Sequence, residues 1–154
     1  MLHIPGGPAA SDFRLAKLLG QLRSLEPKVR GLDARFIHLV KTQGPLSDAQ
    51  QGVLRALLTY GPRHGDLAPA SGSLLLVVPR PGTTSPWSTK ATDIAQVCGL
   101  AAVRRIERGI EYRVDVEGAL SPERLRALGA VLHDRMTEAV LLDLADADRL
   151  FVHA

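Results

Sequence analysis

Shifted by 74 positions, the chain lies over itself without a gap, and this internal repeat limits the folds open to it more than any other feature. Pro5 falls on Pro79, Ser11 on Ser85, Phe13 on Trp87 and Val29-Arg30 on Val103-Arg104. Downstream, Val40 meets Val114, Gly44 meets Gly118 and Leu46-Ser47 meets Leu120-Ser121, while Leu54, Ala56 and Leu58 meet Leu128, Ala130 and Leu132. Identities are few, but apolar and turn positions agree in kind, as they do in a duplicated unit whose surface has diverged. The Gly/Pro/Ala/Ser-rich stretch from Gly61 to Ser73 divides the halves, which span about residues 1–70 and 74–144.

Each half has one path through its elements. In the second, Leu74–Val78 is an apolar strand and Lys90–Cys98 a short helix with Ile94, Ala95 and Cys98 clustered on one face. Val103–Ile106 and Ile110–Val116 alternate as two half-buried antiparallel strands around a turn at Arg108-Gly109. Ser121-Pro122-Glu123 then gives a helix its N-cap, N1 proline and first-turn acid, and Leu125, Leu128, Val131 and Leu132 form its apolar stripe. The first half repeats this with Phe36, His38 and Val40 alternating, a helix start at Ser47-Asp48, and a stripe of Val53, Leu54, Leu57 and Leu58. One such half buries too little apolar surface to stand comfortably alone. The pattern therefore predicts an α+β fold of two similar β-α-β-β-α halves, with helices packed on antiparallel sheets and the halves paired about a pseudo-twofold like a fused dimer.

Composition narrows the function. At 154 residues, 45% hydrophobic and 23% charged, the chain suits one globular domain or two half-sized units. The single Cys98 excludes an internal disulfide, and its place on the Ile94–Cys98 face predicts a buried, inert thiol. Neither a basic leader with an apolar core nor a run of about eighteen apolar residues occurs, so a cytoplasmic setting with no membrane partner is expected. The net charge is only +3 with both signs interspersed, which predicts no nucleic-acid partner. The five His residues, at 3, 38, 64, 133 and 153, lack ligand spacing, and no metal site is expected. No G-x-x-x-x-G-K-[ST] loop occurs, and no catalytic residue is assigned.

Function is best sought where the halves differ. Arg80-Pro81-Gly82 should end the strand in a sharp turn. Thr83, Thr84, Ser85 and Ser88 follow with hydroxyls, Trp87 with a large amphipathic ring, and Ser88 or Thr89 with an N-cap for a helix carrying Lys90 and Asp93 in its first turns. Free N–H groups at such a start suit an anion or a facing carboxylate. The first half, Gly6 to Ala16, has neither the turn nor the paired hydroxyls. Arg80, Thr83, Thr84, Ser85, Trp87, Ser88, Lys90 and Asp93 are therefore candidates for substrate binding or interdomain contact; the structural alternative is a capping loop with a Trp in the core. Secondary interface candidates are Arg105 and Arg108, on a strand face that also carries Glu107, and His133, Arg135 and Glu138, placed late in the last helix.

These residues also carry a resemblance. Arg80 to Ser88 (RPGTTSPWS), Lys90 to Ala95, Cys98-Gly99-Leu100, Ile106 to Gly109 and His133 to Glu138 stand in the order found in the N-terminal region of the large, single-chain phosphoribosylformylglycinamidine synthases. The similarity runs from about Phe13 to the C-terminus. It implies an N-terminal domain over 1–145, with 146–154 opening a linker, and partners in the synthetase and glutaminase domains of the same full-length chain. It implies ATP and Mg in the whole enzyme, none of them in this piece, and an isolated piece without activity. The expected role is scaffolding, with the loop 79–93 turned toward the synthetase domain. Multi-subunit forms of the enzyme use a small dimeric subunit in this place, in keeping with the 74-residue repeat. The rival from another class is a free-standing regulatory or small-ligand-binding α+β module.

Overall fold

Four serines start four helices. A computed structural model describes residues 2–58, 72–80, 85–134, 136–142 and 146 of the chain. In it, β1 (Leu2–Pro8), α1 (Asp12–Leu25), β2 (Val29–Thr42), α2 (Asp48–Leu57), β3 (Ser73–Pro79), α3 (Pro86–Val97), β4 (Val103–Val116), α4 (Pro122–Leu132) and β5 (Glu138–Leu141) follow one another. Ser11, Ser47, Ser85 and Ser121 are the N-caps, each in an extended conformation and each accepting the backbone N–H three residues on. That bond satisfies a donor which the first helical turn otherwise leaves unpaired. At Ser47 the Gln50 side chain returns the bond, completing a capping box.

The strands form one sheet in the order β1-β2-β4-β3-β5, with antiparallel neighbours throughout. One sheet therefore replaces the sheets expected. Each half reads β-α-β-α, because Val103–Val116 is a single strand and not a hairpin. Gly109 explains the difference. It lies within the continuous strand and its φ is not positive, so it makes no left-handed turn; a Cβ there would stand 2.8 Å from the Val77 carbonyl oxygen and 3.0 Å from Val78 Cγ1. The glycine is thus a point of close approach by β3, the second meaning a glycine has within a strand.

Successive strand residues point to opposite faces. One face of β2 and β4 carries Ala34, Val40, Ile106, Tyr112 and Val114. There Leu18 and Leu22 of α1 meet Leu128 and Leu132 of α4, while Leu54 of α2 and Ala95 of α3 pack toward Ile4, Val40 and Ile106. All four helices lie against this face. The other face carries Ile37, Leu39, Leu76 and Val78, and a rank on β4 of Arg105, Glu107, Gly109, Glu111 and Arg113.

The repeat survives as order more than as copy. α1, β2 and α2 begin 74 residues before α3, β4 and α4, and in the central pair Phe36 faces Ile110, its own counterpart. Away from the centre the halves part. Ile4 pairs with His38, but their counterparts Val78 and Tyr112 do not pair; Tyr112 pairs with Leu75, so β3 is displaced by three residues. β5 then adds itself to β3. The divider Gly61–Ser73 lies mostly outside the described residues, as does most of the expected linker.

Candidate functional site: the start of α3 against β4

β3 pairs with β4 only as far as Val77–Ile110, and beyond that point α3 lies along the flank of β4. A row of polar side chains four residues apart makes the fit, since such residues share one helix face. Ser88 Oγ donates to the Ile106 carbonyl, Thr92 Oγ1 accepts from the Ile106 N–H at 3.0 Å, and Gln96 Nε2 donates to the Val103 carbonyl at 3.2 Å. This inward row fixes the rotation of the helix. Ser88 is fully buried, which explains its role as a packing group.

The helix begins four residues earlier than expected, with Ser85 in place of Ser88 or Thr89 as N-cap and Pro86 at its first position. Ser85 works in two directions. Its Oγ accepts from the Ser88 N–H at 3.1 Å and donates to Glu107 Oε1 at 2.8 Å. Glu107 is 1% exposed, and its other oxygen takes the Arg105 guanidinium at 2.9 Å. Further along the same face, Glu111 is 4% exposed and is held by Arg35 at 3.1 Å and Arg113 at 2.8 Å. Both buried carboxylates keep their charge compensated, without which burial would be prohibitive.

On the opposite face of the sheet a second group closes over the same helix start. The Arg108 guanidinium lies 4.4 Å from the Phe36 ring centroid and 4.7 Å from that of Trp87, within cation–π range. Trp87 also stacks on His38 at 5.9 Å between centroids, with the planes 25° apart. His38 is fully buried, and its Nδ1 lies 3.1 Å from the Ile4 carbonyl. A carbonyl only accepts, so Nδ1 carries the proton. Burial lowers the pKa of this imidazole below 6.5 and the Arg108 charge adds to the shift, while the bond to Ile4 opposes them.

The structure thus brings Ser85, Trp87, Ser88, Arg105 and Arg108 together and adds Glu107, His38 and Phe36, which were not among the candidates. The signal for Glu107 was legible as alternation of charge, Arg-x-Glu-x-Gly-x-Glu-x-Arg over 105–113, with both signs on one face. Arg105 and Arg108 are only partly exposed and engaged within the domain, in place of the open hairpin face expected. Lys90 and Asp93 are exposed and lie past the first turn of α3, because the helix starts earlier. Lys90 borders an apolar groove of about 330 Å³ with Leu57, Leu58, Trp87, Ala91 and Ile94. Thr83, Thr84 and Arg135 lie outside the described residues.

Two further expectations change. Cys98 is the exposed C-cap of α3, the helix turning its Ala95 face to the core instead. The segment from His133 is not helix. α4 ends at Leu132, where the His133 ring donates from Nδ1 to the Gly129 carbonyl at 2.6 Å, and Asp134 Oδ1 accepts the Met136 N–H in a turn that leads to Glu138 and β5. That turn meets the other end of the candidate loop. The Thr137 carbonyl accepts the Arg80 N–H at 3.1 Å.

Among the described residues no cluster of three or more His, Cys, Asp or Glu could hold a metal ion, and no helix is long and apolar enough to cross a membrane. Residues 35–151 match the family model described as formylglycinamide ribonucleotide amidotransferase N-terminal. The match begins within β2 and takes in α3, β4, the buried Glu107 and the turn at Asp134. By this match, which covers more than half of its length, the chain belongs to the N-terminal domain family of formylglycinamide ribonucleotide amidotransferase, also called FGAM synthase.

Proposed function

We propose that this chain acts as a non-catalytic scaffold within FGAM synthase, and that its segment from Pro79 to Asp93 is the contact with the synthetase domain. The reaction so served is the ATP-dependent conversion of formylglycinamide ribonucleotide to formylglycinamidine ribonucleotide, with ammonia from glutamine, in purine biosynthesis. ATP, Mg and glutamine belong in this reading to the synthetase and glutaminase domains of the full-length chain, which are its partners in the cytoplasm.

One observation carries the reading: both flanks of the 81–84 stretch are tied down. Arg80 is held through its N–H on Thr137, and Ser85 through its hydroxyl on Glu107. Flanks fixed in advance lose less conformational freedom on contact, so the exposed Arg80 and Lys90 are offered at low ordering cost. A neighbouring domain fits better here than a substrate phosphate. The Ser85 hydroxyl is already engaged, accepting from the Ser88 N–H and donating to Glu107, so it has no proton to give an incoming anion.

The test is Arg80→Ala and Lys90→Ala in the full-length enzyme. Each should lower kcat/KM about tenfold or more, the size expected for losing one charge-assisted contact, while stability of this chain moves by only about 0.5 kcal/mol. Activity and melting falling together, or neither changing, would make the segment structural.

A further inference from the structure

Glu107 has a counterpart, Asp33, 74 residues earlier, and the comparison isolates what Glu107 adds. Each carboxylate accepts the N–H of the residue after it: Arg108 at 3.3 Å and Ala34 at 2.9 Å. Only Glu107 goes further, taking the Ser85 hydroxyl and the Arg105 guanidinium. Among the described residues no hydrogen bond joins Ser11 to Asp33. Gly31 and Ala34 stand where Arg105 and Arg108 do, and Phe13, in the place of Trp87, is 84% exposed. Arg23, in the last turn of α1, donates to the Val29 carbonyl of β2, but the start of the helix forms on its serine cap with no hydrogen bond from Ser11 to Asp33. A helix start in this fold does not need one.

We propose that Glu107 is a positioning residue for the start of α3, an inference that rests on the reading of Arg80–Asp93 as a contact segment. Adjacent residues of β4 grip the helix start from opposite faces of the sheet: Glu107 fixes Ser85, and Arg108 fixes Trp87. Held on both sides, α3 keeps Lys90 in one place relative to Arg80. The pair Glu107–Arg105 supplies the charge balance that lets this carboxylate sit buried beneath a hydroxyl.

The discriminating variant is Glu107→Asp in the full-length enzyme. Aspartate keeps the charge beside Arg105 and the bond to the following N–H, as Asp33 does, but is shorter by one C–C bond of about 1.5 Å and leaves Ser85 out of reach. kcat/KM should fall about tenfold, yet less than twofold when Lys90→Ala is already present, because residues acting through one another are not additive. The melting temperature of this chain should stay within a few degrees. Unchanged kcat/KM, in an enzyme that Arg80→Ala and Lys90→Ala do impair, would overturn the positioning role and leave the contact reading standing. Equal losses with and without Lys90 would also overturn it, since Glu107 would then act only on the fold. If Arg80→Ala and Lys90→Ala are themselves silent, the contact reading fails and this inference falls with it.

Discussion

Replacing Gly109 by alanine tests the fold where it departs furthest from local sequence signals. The new methyl carbon would stand 2.8 Å from the Val77 carbonyl oxygen, 3.0 Å from Val78 Cγ1 and 3.5 Å from Ile37 Cγ2. The first of these is backbone, held in the β3–β4 ladder by the neighbouring Val77–Ile110 pair, so relief requires β3 to move. Overpacking of this kind costs about 1–3 kcal/mol. Alanine also removes freedom from the unfolded chain, which returns about 0.4–1 kcal/mol. A net loss of about 1.3 kcal/mol remains at the centre of these ranges, and at about 2–4 °C per kcal/mol for a chain of this size the melting midpoint should drop by about 3–5 °C. Thermal unfolding followed by circular dichroism would measure it. Gly20→Ala, at an exposed position of α1 with nothing within 4 Å of the added carbon, should instead raise the stability by about 0.5–1 kcal/mol of helix propensity. Gly109→Asn separates the two meanings of the glycine: a left-handed turn tolerates asparagine better than alanine, whereas a crowded strand tolerates it worse. A Gly109→Ala protein melting with the wild type, or an asparagine variant more stable than the alanine one, would refute the close-approach argument.

His38 should make stability depend on pH. Its folded pKa lies below 6.5, so as the pH falls the unfolded chain takes up the proton first; the contribution is complete above about pH 6.5 and is lost as the pH drops through the folded value. His38→Gln, which can still donate to Ile4, should flatten that part of the curve in urea titrations run at several pH values, and an unchanged slope would remove His38 as its source. Glu111→Ala leaves Arg35 and Arg113 facing each other without the carboxylate between them and should cost about 3 kcal/mol. Asp115→Ala, whose pair with Arg30 has side chains 58% and 52% exposed, should cost less than about 1 kcal/mol in the same denaturation assay; equal losses would show that burial is not what distinguishes the two.

Local chemistry made much of this legible. Ser47 and Ser121 announce their helices because capping depends on neighbours three residues away, and the Leu125, Leu128, Leu132 stripe follows from the period of the helix alone. The alternation of Phe36, His38 and Val40 likewise gives the helix-bearing face of β2. What stayed hidden depends on partners distant in the chain. Arg108-Gly109 carries the same signal whether the chain turns there or Val77 passes close by. Ser85 and Ser88 are equally good caps in isolation, and the choice is made by Glu107 beneath one and Ile106 beside the other. Trp87 was read as an anchor, but its actual neighbours, His38 and Arg108, come from β2 and β4. Cys98 looked buried because Ile94 and Ala95 are apolar, while Ile94 itself is 46% exposed and only Ala95 turns inward.

The row Ser88, Thr92, Gln96 has a consequence for assembly. Where β3 stops, β4 would otherwise offer a bare strand edge, the kind that recruits another chain and seeds aggregation. Hydroxyls and an amide on a helix take the place of the missing strand and occupy the Ile106 and Val103 groups that a newcomer would need. The outer strands are blunt as well: β1 contains Pro5 and Pro8, which have no N–H to give, and β5 is four residues long. A sheet so finished resists extension by further strands. Losing the Thr92 hydroxyl should therefore show first as self-association of otherwise folded protein.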